Sequence, residues 1–267
     1  MTIEKKEPRK RFLALDTSTA TLGVAITENN RVVHEINASG ERNHSVHLLP
    51  IIEQALQASG TQGSSLAGIS VGVGPGSYTG TRIAVSAAKT LAWAWNIPVV
   101  GVSSMQAMAW GGFTKGSNVS EVEPDNNKDW IVPLLDARRG QAYTALFASN
   151  GLLGPERLAP DAIRLMRDWV EELIQQLQQA EAEGNKPGCL WFVGETSLHG
   201  NEESLASLRE WIEVRTVPYE LEGRWTGFLG EQLHSQGSDD IHSLIPNYTQ
   251  LSEAEANLRK TTEGGSK

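Results

Sequence analysis

Asp16, in Leu15-Asp16-Thr17-Ser18, and Asp136, in Asp136-Ala137-Arg138-Arg139-Gly140, each close an apolar run and open a polar turn. Such a turn can meet a phosphate with its backbone N–H groups and hydroxyls. The first turn supplies Thr17, Ser18 and Thr19. The second places Ala137, Arg138 and Arg139 where glycine would let a phosphate approach the backbone closely. Asp16, Thr17, Ser18, Asp136, Arg138 and Arg139 therefore form the candidate anion site, read as the vestige of a working one. A later element, Gly194-Glu195-Thr196-Ser197, offers one glycine and a carboxylate that would repel phosphate.

A second candidate is the loop Gly74-Pro75-Gly76-Ser77-Tyr78-Thr79-Gly80, which follows an apolar strand and opens a helix. It fits neither a Walker A loop nor a dinucleotide fingerprint, because no Gly-Lys-Ser/Thr follows and the third glycine falls on Ser77 or Thr79. Ser77 stands one place early for a nucleophile elbow, and no base can be assigned to it. Gly74, Gly76, Ser77 and Gly80 are kept as loop positions. Of the six histidines, only His44 and His47 share a helical face, and no acidic residue follows one turn on. A metal centre needs three or more convergent ligands, so neither a metal nor a cofactor is expected, and no catalytic residue.

These groups are carried by a regular order of elements. Strands are expected at 11–16, 22–26 and 32–36, the second and third joined by the turn Asn29-Asn30. Ser45 is expected to cap a helix stopped by Gly60. The strand at 68–73, the helix Thr79 to Asn96 and a strand at 98–102 follow. Residues 111–129 are rich in Gly, Ser, Asn and acids and read as a surface insertion or linker. The order then begins again: a run ending in Asp136, a turn, a strand at 141–148, a short one at 152–158, a long helix capped by Asp161, and a strand at 189–193. Helix candidates close the chain at 205–212 and 225–234. Two such halves facing across a cleft predict an α/β protein with the duplicated actin, hexokinase and Hsp70 type of ATPase fold, two mixed-sheet domains with helices. The first domain is placed at 11–105 and the degenerate second at 106–250, whose last segment packs back on the first. Tails at 1–10 and 257–267 are expected to be disordered.

The helix Thr79 to Asn96 carries two adjoining apolar stripes. Ile83, Ala87, Leu91 and Ala94 form one, and Ala84, Ala88, Ala92 and Trp95 the other. One stripe suffices to pack a surface helix on its own core. The second marks either a helix central to a large domain or a contact with another chain. The contact is expected to use Leu48, Ile52, Arg82, Ala84, Ala88, Ala92 and Trp95.

The chain has 267 residues, a formal net charge of -9 and a single cysteine, Cys189. Such a balance argues against this chain as the main docking surface for nucleic acid. A lone cysteine in an apolar run fits a buried thiol in a reducing compartment. With a charged start and no apolar window of spanning length, a cytoplasmic protein without membrane contact is expected.

Several blocks together resemble one family. Leu15-Asp16-Thr17-Ser18, Arg42-Asn43-His44-Ser45 leading to Leu48-Leu49-Pro50, Gly74 to Ile83, Ala88-Lys89, Asp136 to Gly140 and Pro246-Asn247-Tyr248 resemble the bacterial TsaB (YeaZ) family in residue and in order. The chain departs from its pattern at Val46, at Gln250 and in a long insertion at 116–129. The resemblance implies a non-catalytic scaffold of the machinery that installs threonylcarbamoyl on the adenosine beside the anticodon of tRNA. It implies a TsaD homologue as heterodimer partner, the ATPase TsaE in the full complex, tRNA bound through that complex, and a possible homodimer of the isolated chain. The alternatives from other classes are an ATP-dependent small-molecule kinase of the same architecture and a glycoprotease-like peptidase.

Overall fold

A computed structural model describes residues 10–39, 44–117, 128–150, 154–201 and 203–249. The expected tails from 1 to 9 and 257 to 267, Arg42, Asn43, Gln250 and most of the 116–129 insertion lie outside the described residues. The first half runs β1 (Arg11–Asp16), β2 (Leu22–Glu28), β3 (Val32–Ala38), α1 (His44–Ser59), β4 (Gly68–Gly72), α2 (Tyr78–Trp95), β5 (Val99–Val102) and α3 (Ser104–Ser117). The second repeats it with β6 (Trp130–Asp136), β7 (Gln141–Ala148), β8 (Glu156–Leu165), α4 (Met166–Ala182), β9 (Cys189–Gly194), the short α5 (Thr196–His199) and α6 (Ala206–Arg209), β10 (Glu213–Pro218) and α7 (Gly223–Gln236).

The sheet orders are β3-β2-β1-β4-β5 and β10-β9-β6-β7-β8, the same order read from opposite ends. In each, the first three strands are antiparallel and the last two join in parallel, so the α/β duplication is complete strand for strand. The β2–β3 turn uses Asn29 and Asn30 at φ 55° and 54°. Glu28 and Arg31 exchange two backbone hydrogen bonds across it, the form that suits the twist of a two-residue hairpin. Gly60, at φ 60°, ends α1.

Each sheet is covered on both faces. The first packs α1 and α2 on one face and α7 on the other; the second packs α4 on one face and α3 on the other, and α3 meets α7 between them. The last helix therefore covers the first sheet although it follows β10 in sequence, and its Leu229 is buried in the core that it shares with α3 and β6. Beyond it the chain returns to the first half, where Ile241 and Leu244 join the core.

Several expectations change. Ser45 lies inside α1 rather than capping it, and the short strand expected at 152–158 is the longer β8. Residues 104–117 form a helix, although part of this stretch reads as linker, because Gly111 and Gly112 lower intrinsic helix propensity. Packing demands them: a Cβ at Gly111 would lie 2.2 Å from Tyr219 Oη, and one at Gly112 2.5 Å from Val193 Cβ. Asp161 sits inside β8, not at a helix start, where it pairs with Arg157 and accepts Ser103 Oγ at 2.8 Å. The 205–212 helix shrinks to one turn, and the next residues become β10, held by parallel pairing with β9.

Candidate functional site

The two Asp turns face each other across a cleft between the halves, in two adjoining parts of about 880 and 780 Å³. Thr19, Ala20, Leu135 and Glu195 line both.

Asp16 is closed off from that cleft. Only 2% exposed, it accepts Ser18 N–H through Oδ1 at 2.8 Å, and Ser104 Oγ and Thr226 Oγ1 through Oδ2 at 2.8 and 3.4 Å. Burial pushes its carboxyl up, and those hydrogen bonds pull it back only in part. Ser104 Oγ in turn accepts Gly74 N–H at 3.1 Å, which ties the Gly-Pro-Gly loop to the same centre. That loop lies directly on the first turn. Thr17 Oγ1 donates to Gly80 O at 2.6 Å, and Ser77 N–H donates to Ser18 O at 2.7 Å. A Cβ at Gly80 would fall 1.9 Å from Thr17 O, and one at Gly76 2.4 Å from Ser18 O. These two glycines are what the close contact requires. Asp16 and Thr17 thus hold the turn and the loop together, as does the Ser18 backbone, while Ser18 also lines the larger part of the cleft with its Oγ unpartnered among the described residues. Ser77 is the N-cap of α2, its Oγ accepting Gly80 N–H at 3.2 Å, so its hydroxyl oxygen has a structural partner.

The second turn is open. Asp136 accepts Arg138 N–H at 3.0 Å and His199 Nε2–H at 3.1 Å, and its own N–H donates to Glu195 Oε2 at 2.8 Å. Burial opposes its charge, but the His199 and Arg138 contacts prevail and hold its carboxyl below the usual range. Arg138, Arg139 and Gly140 all adopt left-handed φ, at 67°, 55° and 73°. Arg138 lines the larger part of the cleft and Arg139 does not. Neither guanidinium forms a hydrogen bond or ion pair with another described residue. The turn can present cations, while a backbone N–H that might meet a phosphate is taken by Glu195. Among the described residues no group of three or more His, Cys, Asp and Glu could hold a metal ion, and no helix is long and apolar enough to cross a membrane.

The partner surface is redrawn by burial. Ala84, Ala88 and Ala92 are 0% exposed, and Leu48 and Ile52 are buried with them in the first core. The alanines let α2 lie close on its own sheet, so these five residues cannot meet another chain. Ile83, Ala87, Leu91 and Trp95 flank that core half-buried. The outward ridge is Arg82, Ser86, Thr90 and Trp93, at helical spacings of four, four and three. Trp93 is 72% exposed, and Val46 and Leu49 stand exposed on the neighbouring α1. Arg82 Nε donates to Tyr248 Oη at 2.9 Å, and its guanidinium lies 3.9 Å from the centre of the Tyr78 ring. Sequence reasoning missed Ser104, Thr226 and Trp93 as key positions. The first two carry no sequence signal, whereas Trp93 is a tryptophan at the edge of an otherwise assigned stripe.

Known proteins accord with this geometry. Residues 31–199 match the family model "TsaD: tRNA N6-adenosine threonylcarbamoyltransferase". The tRNA threonylcarbamoyladenosine biosynthesis protein TsaB of Bacillus subtilis is 36% identical over 251 residues, 92% of this chain and 96% of that protein. The tRNA N6-adenosine threonylcarbamoyltransferase of Anaeromyxobacter dehalogenans is 30% identical over 171 residues, 55% of this chain and 47% of that protein. The structure of YeaZ from Pseudomonas aeruginosa shares the fold, with a TM-score of 0.66 at 19% identity over 90% of this chain and 99% of that one. A full-length relative, a shared fold and the loop that seals the first turn lead to one placement: the chain belongs to the TsaB family, and with it to the wider family that the TsaD model describes.

Proposed function

We propose that this chain is a subunit of the machinery that makes threonylcarbamoyladenosine in tRNA, that it performs no chemistry itself, and that it acts by pairing with a TsaD-type paralogue. What carries this reading is a contrast within one half. The Asp16 carboxylate is sealed by internal donors, while the α1–α2 face beside it leaves Val46, Leu49 and Trp93 to solvent. Large exposed apolar side chains on adjoining helices suit a helix-on-helix interface, where aromatic anchors contribute most. The TsaD family model matches residues 31–199, a stretch that includes α1 and α2, so a TsaD-type paralogue can meet this chain through the same two helices. Without the paralogue, the same face pairs two copies of this chain.

A TsaE-type ATPase and tRNA engage the assembled pair, which works in the cytoplasm. Arg138, open to the cleft, contributes positive charge to that assembly. Neither a kinase nor a peptidase is favoured by any group in the cleft. Co-purification of the tagged chain with the TsaD-type paralogue of the same organism tests the proposal. A stable one-to-one pair is expected, and two proteins that elute separately at micromolar concentration would overturn it.

A further inference from the structure

The larger part of the cleft, about 880 Å³, receives the start of α2. Ser77 caps that helix, and the Gly80 and Thr81 N–H groups bond back to it. Tyr78 and Thr79 line this part of the cleft, and their N–H groups, the first two of the helix, bond to no described residue. The first turn of α2 holds no acidic side chain to offset the positive end of the helix dipole. His44 and Ser45, at the start of α1, line the same part, again with no acid in the first turn.

Ser18 marks the same place independently. It is 1% exposed and lines this part of the cleft, yet its Oγ has no hydrogen-bond partner. The hydroxyl favours the Asp16 charge but lacks the geometry of a bond to it. A buried hydroxyl left without a partner carries a desolvation cost that a ligand oxygen removes. From the facing turn, Arg138 lines the same part, and its guanidinium forms no ion pair with a described residue.

The surrounding charges choose the ligand. Asp136 and Glu195 also line this part, so a doubly charged phosphate meets more repulsion than a carboxylate does. The turn amides that would cradle a phosphate are taken, Ser18 N–H by Asp16, Asp136 N–H by Glu195 and Arg138 N–H by Asp136. One guanidinium matches one planar carboxylate, and Ala20, Ile83 and Leu135 give the cleft an apolar wall for a carbon body.

We propose that this part of the cleft binds the carboxylate of a small organic acid, received by the start of α2, the Ser18 hydroxyl and Arg138. All three belong to this chain, so the site stands or falls apart from the pairing reading above.

Titration of the full chain with sodium butyrate, followed by amide NMR at constant ionic strength, tests the site. The Tyr78 and Thr79 amides should shift and saturate with a Kd on the order of 1 mM. Arg138→Gln should weaken binding about tenfold and Ser18→Ala about fivefold. Arg139→Gln, at a residue that does not line the cleft, should leave binding unchanged. Inorganic phosphate should bind the same amides more weakly, and tighter phosphate binding would overturn the carboxylate assignment. Shifts that never saturate, or that sodium chloride reproduces, would mean an adventitious ion only and overturn the site. Butyrate binding that Arg138→Gln leaves unchanged would overturn it too. Should Ser18→Ala not fold, Arg138→Gln, at an exposed position, decides the matter.

Discussion

Ser104 Oγ donates to Asp16 Oδ2 across 2.8 Å, joining the end of β1 to the first turn of α3. Thr226 of α7 reaches the same oxygen, so one buried carboxylate ties together the strand and both helices that lie between the sheets. The carboxylate is a joint of the fold.

That joint has a pH signature. The folded Asp16 carboxyl is raised by burial above its value in the unfolded chain. Its ionisation is therefore disfavoured by folding, and the group adds stability as pH falls through its folded value toward the ordinary carboxylate range. Asp16→Asn cannot gain in that way and leaves buried donors mispaired, at a cost of about 1–3 kcal/mol. Urea denaturation should find the variant less stable, and the gap wider at pH 4.5 than at pH 7. A gap that narrows on acidification would contradict the buried-carboxylate account.

Ala88→Glu separates core from interface. Ala88 is fully buried against its own sheet, so a glutamate there is an unpaired charge inside the first core. The expected cost is about 3–5 kcal/mol, enough to unfold a marginal domain. Circular dichroism and thermal melts should report a destabilised or unfolded chain. A variant with wild-type melting behaviour would place Ala88 on the outside after all.

The turn amides already taken make a prediction about nucleotides. The Ser18 amide is taken by Asp16, the Asp136 amide by Glu195 and the Arg138 amide by Asp136. Isothermal titration of the isolated chain with ATP and Mg²⁺ should give no micromolar binding. A micromolar isotherm would favour a kinase.

Arg138 and Arg139 form no direct ion pair with a described residue, although the Arg138 charge acts on Asp136, on a chain of net charge -9. Replacing both with alanine should flatten the salt dependence of tRNA binding by the assembled complex. The slope should fall by about one for each phosphate that the arginines no longer neutralise. An unchanged slope would remove the pair from any contact with the RNA backbone.

The repeat is legible in the sequence because it rests on local patterns: apolar run, carboxylate, turn, strand, twice over. Asn29-Asn30 and Gly60 also behave as their backbone preferences require. The α3 helix is hidden by glycines that serve tertiary packing, and β10 by its dependence on pairing with β9. The two stripes of α2 are legible too, but the sequence reading turns the alanine stripe toward a partner, whereas it lies on the sheet with the other stripe half-buried beside it. Periodicity shows that a helix has two apolar faces and not which one its sheet covers. Small size decides it, since alanines at 84, 88 and 92 allow the closest approach to the sheet. The Asp16–Ser104–Thr226 contact joins residues 88 and 210 positions apart and leaves no trace in sequence.

The central claim is that this chain works by pairing and not by chemistry, through the outward ridge of α2. Its most direct test is tRNA threonylcarbamoylation reconstituted from the purified TsaD-type paralogue, the chain, a TsaE-type ATPase, tRNA and threonylcarbamoyl-adenylate. Trp93 is 72% exposed, so Trp93→Asp should fold as wild type, a surface change within about 0.5 kcal/mol. The account predicts modified adenosine with the wild-type chain, none when the chain or the paralogue is omitted, and none with Trp93→Asp. Modification by the chain without its paralogue, or full modification with Trp93→Asp, would contradict it.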